Sequence, residues 1–176
     1  MFTRKTGARM LSLTAGAVAL ALGVSTVADA VPQTVQGTIN VSAHVDAACS
    51  MTTHDLGFGT YDPLGANKTQ DLFTEADISV TCTKDAATTI SLSSGGHAAG
   101  GTRQLTDGAA TPHFLTYSLY SDPTRTAAWG DGTLAAVLSY AGTGASDTVK
   151  VYGKIEKNQL AAPGDFTDTV TATITF

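Results

Sequence analysis

The sequence predicts an all-β sandwich that is exported and stapled by one disulfide. Three observations carry that expectation. Helical periodicity is nearly absent, while apolar and polar residues alternate with period 2 in run after run. Turn-forming clusters separate the runs: Asp62-Pro63-Leu64-Gly65, Ser94-Gly95-Gly96, Gly100-Gly101, Asp107-Gly108, Gly130-Asp131-Gly132 and Pro163-Gly164. The chain also opens with the three-part pattern of a secretory leader.

The leader comes first. Arg4, Lys5 and Arg9 give a positive start, Met10 to Val24 is uncharged and largely apolar, and Ala28-Asp29-Ala30 places small residues at the −3 and −1 positions of a cleavage site. Roughly 15 apolar residues fall short of the ~20 that a permanent membrane anchor needs. Residues 1–30 therefore read as a cleaved signal peptide, and residues 31–176 as one domain with its own core. Removing the leader leaves 7 Lys+Arg against 14 Asp+Glu, a formal charge of −7. A surface this acidic, with no basic stripe, argues against nucleic acid or anionic lipid as a partner. Nothing after the leader resembles a transmembrane segment, so no membrane insertion is expected after cleavage.

The mature chain begins with its clearest alternation. Val35, Gly37, Ile39, Val41, Ala43, Val45 and Ala47 share one parity, and Thr34, Gln36, Thr38, Asn40, Ser42, His44 and Asp46 the other. As a strand this run would be about 45 Å long at 3.3 Å per residue, well beyond the usual ~5–6 residues. Shorter runs follow: Leu56 to Tyr61; Leu72 to Cys82 with Ala76, Ile78, Val80 and Cys82 inward; Thr88 to Ser93 with Ile90 and Leu92 inward. His113 to Tyr120 turns Leu115, Tyr117 and Leu119 inward. Thr133 to Tyr140 is apolar but poorly phased, and Thr148 to Ile155 turns Val149, Val151 and Ile155 inward. The last run puts Phe166, Val170, Ala172, Ile174 and Phe176 on one face and threonines on the other, and the chain stops on that strand. About eight strands at this spacing suit a sandwich.

Catalytic chemistry is not written in the sequence. The Gly-rich stretch Ser94 to Gly101 lacks the helix that a phosphate cradle needs. No Gly-x-Ser-x-Gly elbow occurs, and His44, His54, His97 and His113 sit in unrelated stretches, so neither a triad nor a metal site is implied. Glu75 and Asp77 share an outward face and read as solvated. Trp129, Tyr120 and Tyr152 are the residues that a carbohydrate-binding module would use, although Trp129 reads first as a structural aromatic beside a tight turn. No enzyme, cofactor or metal is expected.

Cys49 and Cys82 are the only cysteines, and in an exported chain they are most simply a disulfide. It would close a loop of about 34 residues, worth about 3–4 kcal/mol in the chain-entropy model. A reactive or metal-binding pair is disfavoured because no CxxC spacing is present. The long first run then poses a packing problem, since its apolar face needs a partner at a terminus where domains usually fray. β-Strand addition to another molecule's sheet is one solution. Burying Val35, Ile39, Val41 and Val45 would contribute about 6–12 kcal/mol gross.

Several motifs then fall in a recognisable order: Cys49, Leu56-Gly57-Phe58-Gly59-x-Tyr61-Asp62, Val80-Thr81-Cys82 and Tyr117-Ser118-Leu119-Tyr120. Trp129-Gly130-Asp131-Gly132, Val151-Tyr152-Gly153-Lys154-Ile155 and Pro163-Gly164-Asp165-Phe166-x-Asp168-Thr169 complete the set. In this order they resemble the spore coat protein U domain family, which includes pilin subunits of archaic chaperone–usher pili. The resemblance implies an immunoglobulin-like, pilin-type sandwich that lacks its last strand and is completed by donor-strand complementation. It implies Cys49–Cys82 as the family disulfide and residues 31–41, with Val35, Gly37, Ile39 and Val41 inward, as the donor strand. The C-terminal strand Asp168 to Phe176, with Val170, Ala172, Ile174 and Phe176, would pair beside the groove. The implied partners are a periplasmic chaperone, an outer-membrane usher and neighbouring subunits. The implied product is a surface fibre serving adhesion or biofilm formation, or a spore coat.

Overall fold

The computed structural model describes residues 30–176. The expected leader therefore lies outside the described residues, Ala30 apart. The chain divides into two units, one running through Ser42 and a domain from Ala43 to Phe176.

Among the described residues eight strands form: β1 (Cys49–Thr53), β2 (Leu72–Cys82), β3 (Ala87–Leu92), β4 (Arg103–Thr106), β5 (Phe114–Tyr120), β6 (Leu138–Ala141), β7 (Ser146–Ile155) and β8 (Ala172–Thr175). A single turn of 3-10 helix, Ala66–Lys68, is the one helical element there. All ladders between named strands are antiparallel, in a five-stranded sheet ordered β1-β2-β7-β5-β4 and a three-stranded sheet ordered β6-β3-β8.

The long alternating runs become the centre of the sandwich. β2 pairs with β7 from Leu72↔Ile155 to Thr81↔Ser146. Their inward residues Ile78, Val80, Cys82, Val151 and Ile155 are buried together with Leu115, Tyr117 and Leu119 of β5. From the facing sheet Ile90 and Leu92 of β3 close the core, with Trp129 between the layers. On the opposite parity of β2, Glu75 and Asp77 are solvated as expected. Lys150 of β7 donates to both, at 3.0 and 3.2 Å, and these bonds raise its pKa.

Four expected strands are different. The run 35–47 forms no strand; residues 30–48 carry no regular structure, and Val35, Ile39 and Val41 are 95, 86 and 90% exposed. A strand exists through its ladder to a neighbour, and alternation alone does not supply one. Leu56 to Tyr61 is also irregular, yet Leu56, Phe58 and Tyr61 pack against the core. The poorly phased run 133–140 narrows to β6, and the C-terminal run narrows to β8. Conversely β1 and β4, both short, were not anticipated.

An immunoglobulin constant-type sandwich sets strands A, B, E and D against C, F and G. Here β1, β2, β7 and β5 occupy the A, B, E and D places, and β3 and β8 those of C and F. β4 and β6 are additions at the far edges. Among the described residues no strand takes the G place, so one edge of β8 is unpaired.

Candidate functional site

The vacant G place opens the core. Two adjoining cavities of about 310 and 870 Å³ run between the sheets and share Leu56, Phe58 and Leu105. The first is floored by Ala76, Ile78, Leu92, Tyr117, Leu119 and Val151 and bordered by Val170 and Ala172. The second continues to Leu115, Ile155, Leu160 and Phe166. Leu56, Phe58, Leu105, Phe166, Val170, Ala172 and Ile174 are only partly buried although they pack against the core. A closed sandwich would bury them; here all but Ile174 line a groove.

Local chemistry shapes its walls. Gly153 of β7 has no side chain because the Phe58 ring occupies that space: a Cβ there would lie 2.8 Å from Phe58 Cζ and 2.9 Å from Thr74 Cγ2. Phe58 in turn meets Tyr117 edge-on, with ring centroids 6.1 Å apart. We expect Gly153→Val to cost about 1–3 kcal/mol through this overpacking, measured as a lower midpoint in urea. An unchanged midpoint would show that Phe58 moves freely. Tyr61 fixes the loop behind the groove, donating to the Glu156 carbonyl at 3.0 Å and accepting from Gln159 N at 2.9 Å.

At the entry to β8 a polar knot is buried. Asp168, whose side chain is 1% exposed, accepts from Tyr117 Oη at 2.6 Å and from Gly96 N at 2.8 Å, and faces His97 Nδ1 at 3.3 Å. Arg103, also buried, donates to the carbonyls of Leu92 at 2.9 Å, Ser93 at 2.7 and 2.9 Å, and Trp129 at 3.0 Å. Burial lowers the Arg103 pKa, opposed by Tyr117, Asp131 and Asp168. Burial raises that of Tyr117, and its bond to Asp168 raises it further. The knot ties the 93–97 loop, β4, β5 and the entry to β8 together. Asp168 stood in a motif with no role attached to it, and nothing in the sequence marks Arg103 as buried.

The expected site residues are distributed as follows. Cys49 and Cys82 are bonded and sit directly opposite each other on β1 and β2. Val170 and Ala172 line the groove, Ile174 packs against the core, and Phe176 is exposed beside a shallow depression with Thr89 and Tyr140. Val35, Gly37, Ile39 and Val41 belong to the separate N-terminal unit and are exposed. Trp129 is a structural aromatic: the indole is 1% exposed and donates to the Ile90 carbonyl at 2.8 Å, leaving no face for a sugar. Tyr120 and Tyr152 lie half-buried, with Lys154 Nζ 5.8 Å from the Tyr120 ring and Arg125 5.6 Å from the Tyr152 ring. Among the described residues no cluster of three or more metal-ligating side chains occurs, and no helix is long and apolar enough to cross a membrane.

The profile of the Spore Coat Protein U domain matches residues 35–173. The chain belongs to that family. Protein U of Myxococcus xanthus is 37% identical over 155 residues, covering 81% of this chain and 86% of its own. Among solved structures, the chaperone–tip adhesion subunit pre-assembly complex CsuC–CsuE, from archaic chaperone–usher Csu pili of Acinetobacter baumannii, superposes with a TM-score of 0.53. That match has 21% identity and covers 75% of this chain and 40% of the other, a likeness of fold. The Spore Coat Protein U match begins at Val35, so the exposed alternating segment is part of the shared domain.

Proposed function

We infer that this chain is an exported structural subunit whose groove accepts a strand from a neighbouring subunit. The observation that carries the reading is the unpaired edge of β8 above an open, apolar groove. Such a site suits an extended segment that adds backbone hydrogen bonds at the edge and sends alternate side chains into the groove. Residues 31–41 have that character, with Val35, Gly37, Ile39 and Val41 on one parity and polar residues on the other. In this reading a periplasmic chaperone covers the groove before assembly. An outer-membrane usher then exchanges it for the next subunit's segment, giving a surface fibre for adhesion or biofilm formation. Ala172 and Ile174 of β8, flanked by Val170 and Phe176, border the incoming strand, and the subunit has no catalytic role.

Deleting residues 31–41 tests this. The domain is expected to fold and to be recovered with its chaperone, while fibres are lost from the cell surface. Normal fibres from the deletion strain would overturn the reading. The family's name favours a second reading, a spore or cell-surface coat protein that associates without a dedicated usher. Genes for a chaperone and an usher beside this one would decide for the fibre.

A further inference from the structure

The N-terminal segment joins the domain at a reinforced point. Cys49 is the first residue of β1, and its sulfur is bonded to Cys82, the last residue of β2 and its register partner. Thr83, the next residue, holds the approach to β1. Its N donates to the Ala48 carbonyl at 2.9 Å, its Oγ1 accepts from Ala48 N at 3.1 Å, and that hydroxyl lies 3.4 Å from the Asp46 carbonyl. The turn after β6 backs this corner: Gly144 N donates to the Cys82 carbonyl at 3.1 Å and Asp85 N to that of Gly142 at 2.8 Å. A Cβ on Gly142 would lie 2.1 Å from the Thr83 carbonyl, so the turn is seated tightly against it.

By itself β1 is a poor attachment for anything pulling on the N-terminus. It has five residues, lies at the sheet edge and pairs with β2 alone. β2, by contrast, lies inside the sheet between β1 and β7, pairs with β7 from Leu72 to Thr81 and carries the buried Ile78 and Val80. We propose that Cys49–Cys82, with Thr83, is a mechanical clamp that passes tension from the N-terminal segment past β1 directly into β2. The clamp rests on the reading of that segment as the link between subunits, which is where a fibre under flow would be loaded. A disulfide meant only to stabilise the fold would not need to sit at the first residue of the strand that the linker enters.

Single chains held in an optical trap test this without requiring fibres. One handle sits at Glu156, just beyond the far end of β7, and the other at either Val31 or Asp85. When the Cys49→Ala/Cys82→Ala variant is loaded through Val31, its unfolding rate at constant force is expected to rise at least about tenfold more than when loaded through Asp85, since forced unfolding follows the unfolding rate. Loss of stability alone would speed both geometries equally, and that equal change would overturn the clamp. Thr83→Val, which keeps the disulfide, is expected to shift the Val31 geometry in the same direction but less. If the variant is too unstable to trap, opening the wild-type bond with a reductant in the trap supplies the same comparison. Fibres lost on deletion of 31–41 but an equal change in both geometries would refute the clamp and leave the donor reading standing.

Discussion

Trp129→Ala is expected to bring the domain close to unfolding. Trp129 is among the largest fully buried side chains, and it joins both layers: its N donates to the Leu119 carbonyl of β5 at 2.9 Å, and Nε1 donates to the Ile90 carbonyl of β3. Truncating a buried tryptophan costs about 3–5 kcal/mol, against a total stability of about 5–15 kcal/mol for domains of this kind. An open groove places this domain toward the lower end. The measurement is urea denaturation followed by circular dichroism, because the substitution removes the sole indole of the chain. Trp129→Phe should keep most of the packing and lose the indole hydrogen bond, costing about 0.5–1.5 kcal/mol for that bond together with a smaller cavity. A loss below about 1 kcal/mol for the alanine variant would mean the two layers are held chiefly elsewhere.

The second large effect is on assembly with folding untouched. Ile39→Asp lies in the exposed N-terminal unit, where its side chain contributes nothing to the domain core. In the proposed complex the same residue would enter a groove lined by Leu56, Phe58, Val170 and Ala172. Replacing about 1.5–3 kcal/mol of burial by an unpaired carboxylate among apolar side chains costs several kcal/mol more. The expected result is a folded, chaperone-bound subunit, unchanged in melting, and complete loss of polymer on gels and in electron micrographs. Ile39→Val should assemble. Polymer from Ile39→Asp at the normal level would exclude Ile39 from the groove.

What the sequence disclosed follows from how each element earns its order. β2, β5 and β7 are legible because each buries a run of alternate residues: Ile78, Val80 and Cys82 at the end of β2, Leu115, Tyr117 and Leu119 along β5, and Val151 and Ile155 in the second half of β7. β1 and β4 have five and four residues, too few for alternation to declare itself, and they exist because β2 and β5 offer edges. The run 35–47 gave the strongest pattern and no strand, because pattern records which face wants burial and says nothing of what supplies the ladder. Trp129 reads from the sequence as a structural aromatic beside a tight turn, but the sequence does not say which surfaces it packs between. Its burial depends on the 129–136 turn folding back between the sheets, with Gly130 N donating to the Ala136 carbonyl at 2.8 Å. The Arg103–Asp168 knot joins residues 65 positions apart, a proximity set by the sandwich topology.

The vacant place beside β8 also changes what stability means for this protein. Anything that seats in the groove binds the folded chain and not the unfolded one, so it adds RT ln(1 + [L]/Kd) to the unfolding free energy, about 2.7 kcal/mol at a hundredfold excess over Kd. The midpoint of thermal unfolding is then a function of occupancy. It rises with the concentration of groove-filling segments and falls as the chain is diluted away from them. Two preparations of identical sequence, one solitary and one complemented, are thermodynamically different molecules.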